Sequence, residues 1–165
     1  MFNTLSRAAL VAAFTTLALP VMAEGIEVHD AYVIQGMPGG PTAAAFMVIH
    51  NHGGAPDRLV GVRSDIAGRT ELHTHVSDDN GVMQMVEVEE GFDLPTDGEI
   101  VMERGGAHVM FMGLTAAIED GAVVPITLVF ETAGEVVVEA VVDLDRMAGD
   151  AMDHGGMDHG AHGSD

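Results

Sequence analysis

Cysteine, lysine and tryptophan do not occur anywhere in the 165 residues, and tyrosine occurs once. Without cysteine there is no disulfide scaffold, no zinc–thiolate site and no thiol nucleophile. The thiolate that a blue-copper electron-transfer site requires is missing too. Positive charge is scarce: six arginines stand against 26 acidic residues, a formal net charge of −20. No basic stripe is left to displace counterions from phosphates, so nucleic acid is excluded as a partner and anionic membrane surfaces are repelled.

Long apolar runs are confined to the first residues. Arg7 precedes the apolar stretch 8–19, Pro20 breaks it, and Val21-Met22-Ala23 places small residues at the −3 and −1 positions of a cleavage site. This pattern predicts an export signal over residues 1–23, cleaved after Ala23, and a periplasmic mature chain starting at Glu24. The run falls short of the roughly 20 residues a bilayer-spanning helix needs, so no stable membrane insertion is expected.

From residue 24 to 146, short segments rich in β-branched residues alternate with turn residues. Strands are expected near 26–34, 43–50, 58–63, 69–76, 82–88, 99–103, 107–112, 123–131 and 135–143. Asn80-Gly81 is the strongest hairpin signal, because both residues tolerate positive φ. Many short strands at regular spacing predict an all-β sandwich or barrel. Residues 147–165 change character to glycine, histidine, methionine and aspartate without apolar periodicity. Such a segment buries too little surface to offset its ordering entropy, so a disordered tail is expected.

The abundant residues are 12 methionines and 9 histidines. Thioether and imidazole are the donors a thiol-free protein has left for copper. Strand alternation places His73 and His75 on one face of their strand, Met83 and Met85 on one face of the next, and His108, Met110 and Met112 on one face of a third. A methionine in a strand, taken singly, is usually core filler. The combination, in an exported cysteine-free chain, points to copper.

At these residues the chain resembles the periplasmic copper chaperones called PCu(A)C. The resemblance rests on Glu71-Leu72-His73, on Val82-Met83-Gln84-Met85-Val86, and on Ala107-His108-Val109-Met110-Phe111-Met112, with further likeness at Asn51 and Asp57-Arg58-Leu59-Val60-Gly61-Val62. It spans 26–143. Two departures stand out: Thr74 occupies a place where many members carry methionine, and the gap of 22 residues between Met85 and His108 is one longer than the usual pattern. The resemblance implies a cupredoxin-like Greek-key β-sandwich with His73, Met85, His108 and Met110 as Cu(I) ligands. It also implies delivery toward the CuA centre of a cytochrome oxidase, in concert with a Sco-type thiol protein. Met83 remains a competitor for the Met85 role.

Met152, His154, Met157, His159 and His162 lie within 11 residues of the tail and are candidate ligands for Cu(II) or a second copper. His50 and His52, flanking Asn51, read as exposed turn-proximal side chains, with a second metal as the alternative; His29 and His75 carry no assignment. An enzyme is not expected. A histidine-brace oxygenase needs a mature N-terminal histidine, and the expected first residue is Glu24. The competing function is copper buffering or resistance, in which the domain and tail only sequester metal.

Overall fold

In a computed structural model of the chain, residues 25–37, 39–78 and 80–146 are described. The expected export signal and the expected disordered tail with its five candidate ligands lie outside the described residues. Ten strands carry the fold: β1 Ile26–Ile34, β2 Thr42–Asn51, β3 Asp57–Arg63, β4 Ala67–Ser77, β5 Met83–Glu87, β6 Phe92–Leu94, β7 Glu99–Met102, β8 His108–Leu114, β9 Val123–Phe130 and β10 Gly134–Val142. Nine coincide with the expected segments. The tenth, β6, is three residues held between Gly91 and Pro95, too short to show a periodicity of its own, and it exists by pairing with β3.

The strands run β5-β4-β8-β2-β1-β10-β9-β3-β6, with β7 pairing on β2 beyond the end of β8. All pairs are antiparallel except β1 with β10. The sheet curls until β3 meets β4 and β6 meets β7, closing an all-β, cupredoxin-like sandwich. Alternation decides what goes inside. On β2 the side chains of Ala43, Ala45, Met47 and Ile49 enter the core, and on β8 Val109 and Phe111 do the same. Leu72 of β4 and Ile126, Leu128 and Phe130 of β9 complete the same apolar cluster. Each large side chain so buried stabilises the fold by about 1.5–3 kcal/mol.

The even-numbered residues of β2 and β8 therefore point to the outer face, where nothing in the core needs them. A bulge alters this bookkeeping on β1. The register with β2 shifts between His29 and Tyr32, and Asp30 sits at φ 48°. The extra residue brings His29, opposite Val48, and Tyr32, opposite Phe46, onto the same outer face.

Candidate metal centre

The hairpin β4–β5 is closed by a turn whose chemistry is visible in its hydrogen bonds. The Asp78 carboxylate accepts from the backbone N–H of Asn80 and of Val82, both at 2.9 Å, and Gly81 takes φ 78°. These bonds, that from Val82 first, hold the Asp78 carboxyl below the usual range. The register that results sets His75 opposite Met85. On its other edge β4 pairs with β8, placing His73 opposite His108 and Glu71 opposite Met110. All these residues share the outer face, as the alternation expected from the sequence required.

Hydrogen bonds then select a nitrogen on each ring. His108 is 2% exposed, and its Nδ1 lies 3.0 Å from the Gly106 carbonyl, which can only accept. Nδ1 therefore carries the proton and Nε2 keeps the lone pair. Burial pushes the His108 pKa down, with nearby His75 and His73 adding to this against the opposing Gly106 bond, so the ring is held neutral. His73 is arranged the other way round. Its Nε2 donates to the Glu71 carboxylate at 2.9 Å, and Glu71 in turn receives Arg69 at 2.9 Å. That leaves His73 Nδ1 as the lone-pair nitrogen, and it is buried without any hydrogen-bond partner among the described residues. A buried polar atom left unpaired costs roughly 1–3 kcal/mol. A carboxylate behind one ring nitrogen with the other nitrogen free is the arrangement by which proteins orient a metal-binding histidine.

Beside these rings the outer face opens into a cleft of about 310 Å³, whose lining includes Phe46, His75, Met85, Arg104, His108 and Met110. Among the methionines the structure discriminates. Met112 accepts a hydrogen bond from Arg69 at its sulfur, 3.5 Å away. Met83 pairs with Ser77 at the far end of the hairpin and is 56% exposed, outside the cleft lining. Met85 and Met110 both line the cleft. His73 does not line it, although its ring centroid is 5.9 Å from that of His108.

His75 is the residue that sequence reasoning left unassigned and the fold brings into place. Its ring centroid is 5.2 Å from that of His108, and its Nδ1 reaches the same Gly106 carbonyl at 3.4 Å. The signal was present in the His73-Thr74-His75 spacing, but only the pairing with Met85 reveals that the second histidine faces the cleft. Among the described residues no three imidazole or carboxylate donors converge on one point. A metal held here must be completed by thioether sulfur, which suits a soft ion and not Mg²⁺ or Ca²⁺.

Fold and donor-bearing face together define a small β-sandwich with the architecture of PCuAC domains. The copper-bound PCuAC domain from PmoF2 is similar at a TM-score of 0.59 with 27% identity, over 73% of this chain and 93% of that one. The Cu(I) form of DR1885 from Deinococcus radiodurans is similar at a TM-score of 0.58 with 30% identity, over 76% of this chain and 85% of that one. The chain belongs to the family described as putative lipoprotein LpqE-like, which matches residues 26–142. The putative lipoprotein Lxx21020 of Leifsonia xyli subsp. xyli is 35% identical over 108 residues, and the match covers 66% of this chain and 63% of that protein's length. The family description points to an exported, cell-envelope protein, though none of these 165 residues is a cysteine to which a lipid could be attached.

Proposed function

We propose that this chain is a periplasmic copper chaperone, exported with cleavage after Ala23, that carries one Cu(I) on His73, Met85, His108 and Met110. It delivers the ion toward assembly of the CuA centre of a cytochrome oxidase, in concert with a Sco-type thiol protein. The observation that carries this reading is the buried, unpartnered Nδ1 of His73, which pairs across the sheet with His108, whose own Nε2 is left with its lone pair. Two thioethers line the adjoining cleft. Two imidazoles and two thioethers make a neutral, soft site that matches Cu(I). Likeness to PCuAC domains solved with copper supports the same metal.

Delivery is favoured over sequestration by one feature. Met85 is 47% exposed, so an incoming thiolate can reach the metal and displace that ligand without unfolding the sandwich. A buffer that only stores copper gains nothing from a ligand left open to solvent. Deleting the gene should lower oxidase activity and CuA occupancy; a strain that loses only copper tolerance would instead be served by sequestration.

Glu71 provides a test beyond the ligands themselves. In Glu71→Ala the acceptor for His73 Nε2–H is lost, and with it the fixed tautomer. Cu(I) affinity should fall roughly tenfold or more with the fold unchanged, measured by competition against a Cu(I) chelator. An unchanged affinity would remove His73 from the ligand set.

The tail acts as a second capture element. The sequence offers Met152, His154, Met157, His159 and His162 within 11 residues as the donors of this second capture. Their imidazoles suit Cu(II). Removal of 147–165 should lower Cu(II) stoichiometry by at least one equivalent and leave one Cu(I) on the domain, read by metal analysis after loading with each ion. Equal Cu(II) uptake by the truncated and full chains would deny the tail this role.

A further inference from the structure

Far along the same outer face, three more histidines and two glutamates form a cluster that the Cu(I) reading does not use. His29 of β1, His50 of β2 and His52 just beyond β2 stand in a row, with ring centroids 5.3 Å apart for His29 and His50 and 5.8 Å for His50 and His52. One carboxylate serves the two outer rings: Glu27 Oε1 lies 3.2 Å from His29 Nε2, and Glu27 Oε2 lies 3.0 Å from His52 Nε2. The central ring, His50, has Glu99 of β7 at 3.5 Å from its Nδ1. We propose that Glu27, His29, His50 and His52, with Glu99 behind His50, form a second metal site, which takes a divalent ion of the Cu(II) class.

The donor chemistry sets this site apart from the cleft. It offers imidazole nitrogen and carboxylate oxygen and no sulfur, a set that suits Cu(II) best among first-row divalent ions and suits Cu(I) poorly. Ala44, the β2 partner of Met110, is six positions from His50, roughly 20 Å along the strand. One ion cannot serve both places. Two negative carboxylates within a chain of net charge −20 favour cation entry.

The backbone beneath the cluster is fixed while the side chains are free to turn. Asn51 is 2% exposed and its side-chain nitrogen donates to the carbonyls of Ala55 and Pro95 at 2.9 and 3.2 Å, while Gly53 N–H donates to its Oδ1 at 2.8 Å. The His52 N–H donates to the Gly25 carbonyl at 2.6 Å, tying the start of β1 to the end of β2. Gly25 lies so close to Gly53 that a Cβ there would meet the Gly53 nitrogen at 2.6 Å, so only glycine allows this approach. The bulge at Asp30 supplies the remaining step by keeping Tyr32 on the outer face without displacing His29 from it. As the side chains stand these donors do not yet converge on one point, but His29, His52 and Glu27 are each about half exposed, so they turn toward an ion at little cost. In doing so His29 and His52 exchange the proton on Nε2 for one on Nδ1, and the Glu27 carboxylate that accepted the two N–H groups supplies an oxygen. A solvent-facing site of this kind exchanges its metal readily, as an uptake point should.

The test uses the full chain labelled with ¹⁵N and Cu(II) added stepwise past the amount that the tail takes up, so that the tail cannot deplete the probe. Paramagnetic broadening should reach the amides of residues 27–29, 50–52 and 99. In the His29→Asn, His50→Asn, His52→Asn triple variant that local broadening should vanish, with Cu(I) loading unchanged. In Glu27→Gln, Cu(II) affinity at this face should weaken by roughly tenfold or more. Broadening that never reaches these amides in the native chain, or that persists in the triple variant, would overturn the proposal. Either result leaves the Cu(I) cleft untouched, because that site is read by Cu(I) loading alone.

Discussion

Replacing Met85 and Met110 together by leucine should abolish Cu(I) binding, with affinity falling at least about 100-fold, while the protein remains folded. Leucine keeps the volume and apolarity of methionine and removes only the sulfur, and such exchanges usually cost less than about 1.5 kcal/mol. Both side chains lie on the outer face, so even that small cost is reduced. Neither His73 nor His108 is changed, and two imidazoles cannot hold Cu(I) against a competing chelator with the strength of four donors. The paired control is Met83→Leu with Met112→Leu. Met83 lies outside the cleft and the Met112 sulfur is engaged by Arg69, so this double variant should bind Cu(I) as the native chain does. Chelator competition and a thermal melt on both variants decide the matter. Equal loss of binding in the two would mean that the methionines act collectively, not through Met85 and Met110.

Phe111→Ala should produce the opposite pattern. Phe111 stands between Met110 and Met112 in sequence, yet it is fully buried in the core while they face outward. Truncating a buried phenylalanine removes its transfer energy and leaves a cavity, together worth about 3–5 kcal/mol. For a small domain that is a large part of the total stability. Denaturant unfolding should show the loss, and whatever fraction remains folded should still bind Cu(I). A mild effect on stability coupled to lost metal binding would mean that β8 is turned over relative to the register described above.

That inversion of roles between adjacent residues is what the sequence displayed most clearly. A period of two separates Val109 and Phe111 from His108, Met110 and Met112 without any knowledge of the partners. The Asn80-Gly81 turn announced the β4–β5 hairpin in the same way, and the ten-stranded sandwich was legible except for β6. What periodicity could not supply was register. It gave His73 and His75 one face but did not say that His75 would meet Met85, nor that Glu71 would tie His73. The His29–His50–His52 row was hidden for a related reason. Its members lie on different strands, and the bulge at Asp30 that governs which face β1 presents leaves no mark in the alternation of apolar residues. The candidate Cu(I) donors emerged chiefly through resemblance to a known pattern; their hydrogen-bond partners emerged only from pairing.

X-ray absorption at the copper edge of the protein loaded with one Cu(I) reads the donor atoms themselves. A ligand set of His73, Met85, His108 and Met110 predicts a shell of two nitrogen and two sulfur scatterers, with the sulfur contribution lost in the Met85→Leu, Met110→Leu double variant. A shell of nitrogen and oxygen alone in the native protein, or sulfur scattering that survives in that variant, would contradict it.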